Sequence, residues 1–377
     1  MRVDSDSVYK PILVSSAQVK VFAKKHRAKV VDTYVEQLEE LFLLRNPRFR
    51  FDKNYQNHFE KFLRSHLDSK KQIHGKWFYF PWLNAVVHYL IEKEHLELRT
   101  GRNRLLINKA EQESYYNSRI GILGLSVGSH VALTIAMTGG GKYMKIADPD
   151  TISGSNLNRI RTGVPNVGIK KAVAVARQIY EMNPYAHLDV YPEGLTERNI
   201  HQFFSVKDKL DLLVEEMDNP FLKIKVRHIA KKQQIPVIMA ADNADGIIVD
   251  VERFDLTPKR VILHGLLGNM TAEDFKNIPP KELPRVMARI AGANLSTLRM
   301  IESVKEVGKT LYSWPQLGNA ATLCGSVLTY LARAIITGRK IGSKRIALNI
   351  ADFFEKPSRS DMKKRDKMLR EMGVYTK

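Results

Sequence analysis

A single cysteine, Cys324, in 377 residues excludes an intramolecular disulfide and a four-thiolate zinc site. Zinc is therefore not expected, and any metal should bind through oxygen. Apolar runs are short, and none approaches the length that crosses a bilayer. The amino-terminal Met1–Asp6 lacks the apolar core of a secretory signal. These absences place the chain in the cytoplasm, away from a membrane. Acidic residues are also scarce, with 40 Asp and Glu against 60 Lys and Arg, a formal net charge of +20. Such a balance favours acidic partners: an acidic peptide, a nucleotide triphosphate or nucleic acid. The basic residues are scattered, however, and clusters such as Lys24-Lys25 and Lys363-Lys364-Arg365 read as solvated helix faces.

What is present is ordinary for a globular protein, 44% hydrophobic and 27% charged. Residues 16 to 68 carry apolar side chains at helical spacing, among them Val31, Tyr34, Val35, Leu38, Leu41 and Phe42. The aromatic stretch His74–Trp82 reads as a strand or packed loop, with Trp77 and Trp82 as packing residues, and a helix is expected through Val86, Val87, Leu90 and Ile91. From Arg119 the pattern changes. Strands are predicted at Ile120–Gly124, Tyr143–Asp148, His187–Tyr191, Leu210–Glu215 and Pro236–Ala240, alternating with helices, and further strands at Gly246–Phe254 and Arg260–Leu263. Alternation of this kind builds a parallel sheet with crossover helices. The expected fold is α/β, a Rossmann-like, doubly wound and mostly parallel sheet. A mainly helical accessory domain over 1–98 precedes the nucleotide-binding domain over 99–356, and a charged tail over 357–377, partly ordered at most, follows it.

The chemistry concentrates between residues 124 and 219. Gly124-Leu125-Ser126-Val127-Gly128-Ser129 follows the first strand of the sheet and opens a helix whose unpaired amides suit phosphate oxygens. Alone this turn is a weak signal, since Ser126 stands where a strict dinucleotide fingerprint has glycine. On the order of twenty residues later, where such folds read ribose, comes Asp148-Pro149-Asp150, then Ser155-Asn156-Leu157-Asn158-Arg159. Asp148 is positioned for the ribose hydroxyls, and Asn156, Asn158 and Arg159 for the phosphates. Gly168-Ile169-Lys170-Lys171 then brings a lysine to the start of a helix, suited to offsetting phosphate charge. Met217-Asp218-Asn219 closes a strand with a carboxylate that can hold Mg²⁺ through one oxygen while phosphates supply others.

These residues resemble the ThiF/MoeB-type adenylating enzymes, relatives of the activating enzymes of ubiquitin. The likeness covers roughly 99–250 and 318–336. It implies ATP and Mg²⁺ as cofactors, with Gly124, Ser126, Gly128, Asp148, Asp150, Asn156, Asn158 and Asn219 around the nucleotide. It further implies catalytic roles for Arg159, Lys171 (Lys170 as the fallback) and the Mg²⁺-linked Asp218. Arg99-Thr100-Gly101-Arg102 is similar to the family's Arg-x-x-Arg entry motif, in which Arg102 would reach the ATP of a second subunit, so the resemblance implies a homodimer. The reaction implied is attack of a substrate carboxylate on the α-phosphorus of ATP.

The chain departs from thioester-forming members, because residues 241–323 hold no cysteine and Cys324 falls in a packing helix. Direct attack by a substrate nucleophile is then implied, as in enzymes that modify ribosomally made peptides during microcin C and pantocin A maturation, or that cyclise a modified adenosine on tRNA. A peptide substrate with an activated glutamate is the favoured expectation and tRNA the alternative. A non-catalytic nucleotide-binding partner ranks below both, and a dehydrogenase leaves the Asn-Leu-Asn-Arg loop and Lys171 without roles. His264, Arg285 and Arg289 are minor candidates: a buried, satisfied histidine and a solvated helix face are the expected readings.

Overall fold

The computed structural model describes residues 8–67, 74–268, 270–276, 278–279, 283–356 and 358–372. The amino-terminal Met1–Asp6 lies outside them. Two sheets organise the chain. The smaller comprises β1 (Ile12–Val14), β2 (Lys29–Val31), β3 (Lys76–Phe80) and β4 (Ala85–Tyr89), in the order β1-β3-β4-β2. The larger comprises β5 (Arg119–Leu123), β6 (Tyr143–Ala147), β7 (His187–Tyr191), β8 (Leu212–Glu215), β9 (Val237–Asn243), β10 (Gly246–Glu252) and β11 (Lys344–Asn349), in the order β11-β10-β9-β8-β5-β6-β7. The five strands from β9 to β7 pair in parallel, and β10 and β11 add antiparallel at one side.

The sheet is doubly wound because its strands are apolar on both faces. Ile120, Ile122, Leu212, Val214, Ile238 and Ala240 pack with residues of helices Val127–Met137, Lys171–Met182 and Gly318–Ile336. Leu123, Leu213 and Val237 pack the other way, against helix Pro220–Lys232 and the segment around Ile262 and Ile290. From β5 the chain winds first to β6 and β7, then back past β5 to β8 and β9, so the strand order reverses beside β5. Ligand crevices in such sheets open at the carboxyl ends of the strands at that reversal.

Three expectations need correction. The helix expected through Val86, Val87, Leu90 and Ile91 is a strand instead: within the mainly helical accessory region, residues 85–89 form β4, and β1 and β2 add two strands. Val86 and Val87 carry β-branched side chains that fit a pleated surface, and the register Phe78↔Val87 uses them to pack that sheet. Arg260–Leu263 is no strand. Residues 262–265 form a tight turn in which Leu263 and His264 take left-handed backbone angles, φ 48° and 54°. The tail, read as partly ordered at most, carries helix Arg359–Glu371, whose Leu369 is fully buried beside Ile301 and whose Lys364 reaches Glu302. Its few apolar residues fall on one face, a signal diluted by the surrounding charge.

Helix Gly318–Ile336 is long and apolar enough to cross a membrane by length and composition. Here it lies across the large sheet, with Ala320, Ala321, Cys324, Leu328 and Ala332 fully buried. The accessory region docks on helix Lys171–Met182: Trp82 Nε1 donates to Glu181 at 2.5 Å, Tyr89 Oη to the Glu181 carbonyl at 2.9 Å, and His95 Nε2 meets the Met182 carbonyl at 2.9 Å. Trp77 stacks on His88 inside the small sheet, so both tryptophans are packing residues.

Candidate nucleotide site

At the reversal point, β5 is followed by Gly124 with φ +82°. A Cβ there would lie 2.4 Å from the Glu216 carbonyl oxygen, so only glycine lets the turn pass against the end of β8. The turn feeds helix Val127–Met137, whose first amides have no side-chain cap and are free to bond a ligand. Gly128 packs against Ile122, a Cβ there meeting its side chain at 3.2 Å.

Asp148, at the end of β6, is 4% exposed. One carboxylate oxygen accepts the Leu125 amide at 2.6 Å and the other the Asp150 amide at 2.8 Å. It thereby fastens the glycine turn to the next loop. Burial pushes its carboxyl above the ordinary aspartate range, opposed by Lys171 and the two amides. The carboxylate expected at the ribose is thus also the group that holds the turn in shape. Lys171, the first residue of its helix and 7% exposed, places Nζ 2.7 Å from Asp150 and 3.9 Å from Asp148. Lys170 points elsewhere, to the Pro149 carbonyl and Glu193, so of the two lysines Lys171 faces the paired aspartates.

Arg159 closes the other side. Its Nε donates to Ser126 Oγ at 3.1 Å, and one terminal nitrogen to Asn158 Oδ1 at 2.9 Å and the Ser155 carbonyl at 3.3 Å. Burial lowers its pKa, while the fields of Asp242, Tyr312 and Asp218 oppose the shift. The guanidinium is therefore partly desolvated among three acidic groups. His130, buried in helix Val127–Met137, bonds through Nε2 to the Arg159 carbonyl. Sequence reasoning missed this brace, because a histidine inside an apolar helix carries no local motif.

Asn158 Nδ2 donates to the Gln316 carbonyl at 2.8 Å, tying the loop to the segment before helix Gly318–Ile336. Asn156 is buried and accepts the Ser153 amide at 3.1 Å, shaping the loop from inside. Asn219 caps helix Pro220–Lys232, accepting the Leu222 amide at 3.0 Å. Asp218 beside it is exposed at the crevice rim.

Arg102 does not join this group. It is exposed in the turn Gly101–Asn103, where Asn103 bonds the Thr138 carbonyl at the far end of helix Val127–Met137. That helix has 11 residues, which puts Arg102 roughly 16 Å or more from the glycine turn at 1.5 Å per residue. Arg99 donates to the Ala136 carbonyl at 2.5 Å and packs within its own chain.

His264 is satisfied, with Nε2 2.5 Å from Asp250 and Nδ1 2.7 Å from Arg260. Arg289 lies on helix Leu283–Ala291, and the Arg285 side chain is outside the described residues. Two further side chains that the sequence did not single out belong to the site: Asp242 near the end of β9 and Gln316, whose Nε2 donates to Asp242 at 2.9 Å. No short motif marked them, since they lie 74 residues apart and meet only when the segment before helix Gly318–Ile336 packs beside β9.

With this geometry in view, the sequence profile of the ThiF family matches residues 100–366. The chain belongs to the ThiF family. It is 35% identical to the protein MT1398 of Mycobacterium tuberculosis over 277 residues, 73% of this chain and 38% of that protein. It is 29% identical to tRNA threonylcarbamoyladenosine dehydratase of Bacillus subtilis over 157 residues, 41% of this chain and 60% of the dehydratase. Among solved structures, Escherichia coli MccB with ATP superposes with a TM-score of 0.47 at 18% identity, covering 78% of this chain and 75% of that one. PaaA gives 0.49 at 19% identity, covering 69% and 80%. This ThiF-family chain thus spans 38% and 60% of the length of these two sequence relatives, less than two thirds of either.

The residues suit a magnesium nucleotide. A turn that only glycine can make, a helix amino terminus, Lys171 and Arg159 together offer donors to phosphate, and Asp148 and Asp150 offer acceptors. Among the described residues, no group of three or more His, Cys, Asp or Glu could hold a metal ion by itself. Mg²⁺ commonly binds through one or two carboxylates plus substrate phosphates, and the exposed Asp218 is a carboxylate that would suit such an ion.

Proposed function

We propose that this chain carries out ATP-dependent adenylation of a substrate carboxylate, releasing pyrophosphate, and passes the acyl group directly to a substrate nucleophile. The observation that carries the reading is the convergence of Lys171 and Arg159 with Asp148, Asp150 and Asp218 around the Gly124 turn, where the sheet reverses. Arg159 and Lys171 would offset charge that builds on the phosphates, Asp148 and Asp150 would orient the nucleotide, and Asp218 would hold Mg²⁺, which neutralises phosphate charge. A carboxylate is anionic at neutral pH and needs no base for this step. In this reading the protein works as a homodimer, with Arg102 reaching the nucleotide of its partner subunit.

The favoured acyl substrate is an acidic peptide with an activated glutamate, as in pantocin A maturation. The small sheet supports this, because β1 and β2 each pair on one side only, and an unpaired edge can accept a peptide as an added strand. Lys24, Lys25, Arg27 and Lys29 lie exposed along the approach to β2 and would meet acidic side chains. A specific observation favours a second reading: the B. subtilis relative is named as acting on tRNA, and a net charge of +20 suits a polyanion. Both reactions would take place in the cytoplasm.

Exchange of labelled pyrophosphate into ATP, run separately with glutamate-containing peptides, small carboxylic acids and tRNA, tests the proposal. Peptide-dependent exchange that disappears in Asp218→Ala, with thermal unfolding unchanged, is expected. Exchange that persists in the variant removes the metal role, and exchange only with tRNA selects the second reading.

A further inference from the structure

The geometry points to helix Arg359–Glu371, with the phenylalanine pair before it, as a docking surface for single-stranded RNA. The inference is independent of the adenylation reading and concerns a face which that reading leaves unused.

The tail is a run of mixed charge along the sequence, and the fold sorts it. Lys364 pairs with Glu302 at 2.5 Å, and Arg365 bonds the Ser296 carbonyl at 2.7 Å, the Asn294 carbonyl at 2.5 Å and Asp366 at 3.1 Å. Leu369 packs inward with Ala293 and Ile301. Arg359, Lys363, Lys367 and Arg370 recur at i, i+4, i+8 and i+11, which sets all four along the side turned away from those contacts. Each is exposed, and none pairs with a carboxylate among the described residues. The acids at the margin of this row are engaged elsewhere, Asp366 with Arg365 and Glu371 with Lys305 at 3.6 Å.

Ahead of the helix, Phe353 and Phe354 are 79% and 84% exposed. The turn that carries them is closed: the Phe354 amide donates to the Ala351 carbonyl at 3.0 Å, and the Asn349 side chain accepts the Ala351 amide at 3.3 Å. Two adjacent rings are thus held in water near the start of a row of unpaired cations. The stretch beneath the helix is tied to the end of β9, where the Thr297 amide donates to Asn243 at 2.8 Å. The surface is therefore braced at the same end of the large sheet as the crevice.

These features select the occupant. Cations four residues apart stand about 6 Å apart along the axis, and the row runs about 16 Å. A linear track of this kind suits a phosphodiester backbone, and flat exposed rings suit bases stacked on them. An unpaired strand offers both, whereas a duplex hides its base faces. RNA presents such strands in loops and ends, where aromatic side chains take the splayed bases. A lipid surface fits less well, because a helix lying in a membrane interface buries its own apolar face there. Here that face is already covered by Ala288, Ala293 and Ile301. The net charge of +20 draws a polyanion to the molecule as a whole.

Anisotropy of a labelled oligouridylate of about twelve nucleotides, titrated with the full-length chain over a series of salt concentrations, tests the assignment. Replacing Lys363 and Lys367 together by alanine is expected to lower the slope of log affinity against log salt by about 1.4, roughly 0.7 for each cation. Phe353→Ala with Phe354→Ala is expected to weaken binding about tenfold or more with the slope unchanged. Thermal unfolding should not move in either variant, since all four side chains are exposed. Lys207→Ala with Lys209→Ala, an exposed pair elsewhere on the chain, should change affinity far less. Equal losses from that control pair would reduce the effect to net charge and overturn the surface. Tighter binding of oligothymidylate or duplex RNA overturns the choice of strand. Absence of RNA binding, with or without capture on phosphatidylserine vesicles, overturns the proposal entirely, and none of these outcomes bears on pyrophosphate exchange.

Discussion

Adjacent residues of one strand end, Glu215 and Glu216, face opposite sides of the sheet and enter two different charged clusters. Glu215 is fully buried and accepts from Lys223 Nζ at 2.8 and 3.1 Å, from Arg227, and from the Met217 amide at 2.9 Å. Arg227, also fully buried, bonds Glu252 at 2.7 Å as well, and Asp250 beside it pairs with His264. On the other face, Asp148, Asp150, Lys171, Arg159, Asp218 and Asp242 line a crevice that opens to solvent at Asp150 and Asp218. The first cluster spends its charges on one another. In the second, Lys171 pairs with Asp150 at the exposed end, while Arg159 bonds only neutral oxygens beside the opening, with the partial desolvation that makes an incoming phosphate bind more strongly. Access of the charges to an opening, more than the number of charged residues, separates scaffold from site in this molecule.

The sharpest way to break that comparison is to remove one arginine from each cluster. Arg227→Ala leaves Glu215 and Glu252 buried without their shared cation and is expected to cost about 3–5 kcal/mol in urea unfolding. Arg159→Ala is expected to cost under about 1 kcal/mol while lowering peptide-dependent pyrophosphate exchange by about 10²-fold or more. Comparable destabilisation by the two substitutions would show that the crevice is as structural as the cluster behind it.

A smaller effect separates two glycines of the same site. Gly124→Ala must place a Cβ 2.4 Å from a backbone oxygen at φ +82°, whereas Gly168→Ala, at φ +91°, has nothing within 4 Å. Both carry a left-handed cost of about 1–2 kcal/mol. Gly124→Ala adds a displacement of the β5–β8 junction and should lose ATP affinity, measured by calorimetry, well beyond Gly168→Ala. Equal losses would mean that the turn is not the nucleotide cradle.

Much of this was legible in the sequence because the glycine turn, the Asp148–Arg159 loop and Lys171 are local patterns in which spacing along the chain sets spacing in space. The five parallel strands were legible for the same reason, being continuous apolar runs bounded by turns. Asp242, Gln316 and His130 were not, since each acts through a partner more than twenty residues away and none sits in a short motif. The accessory region was misread at β4 because Val86, Val87 and Leu90 satisfy a helical and an alternating pattern over so short a run. Only the pairing with β3 decides between them.

The smallest predicted effect concerns acid, where the two clusters should respond in opposite directions. Burial alone would raise the Glu215 carboxyl, but Lys223 and Arg227 overcome it and hold the group below its ordinary range. Its contribution to stability is therefore present above the unfolded-state value near 4 and is lost as pH falls through the lowered folded value. Asp242 runs the other way, because burial raises it. Its contribution is present below the unfolded value and is lost as pH rises through the raised folded one. Thermal unfolding should then show Asp242→Asn gaining on the unsubstituted protein as pH rises from 4 to 8, while the deficit of Glu215→Gln stays level above about pH 6 and shrinks only as pH falls through and below about 4. A site that gives up stability when its acid is charged keeps that acid for a ligand, and parallel pH profiles for the two variants would assign Asp242 to the scaffold instead.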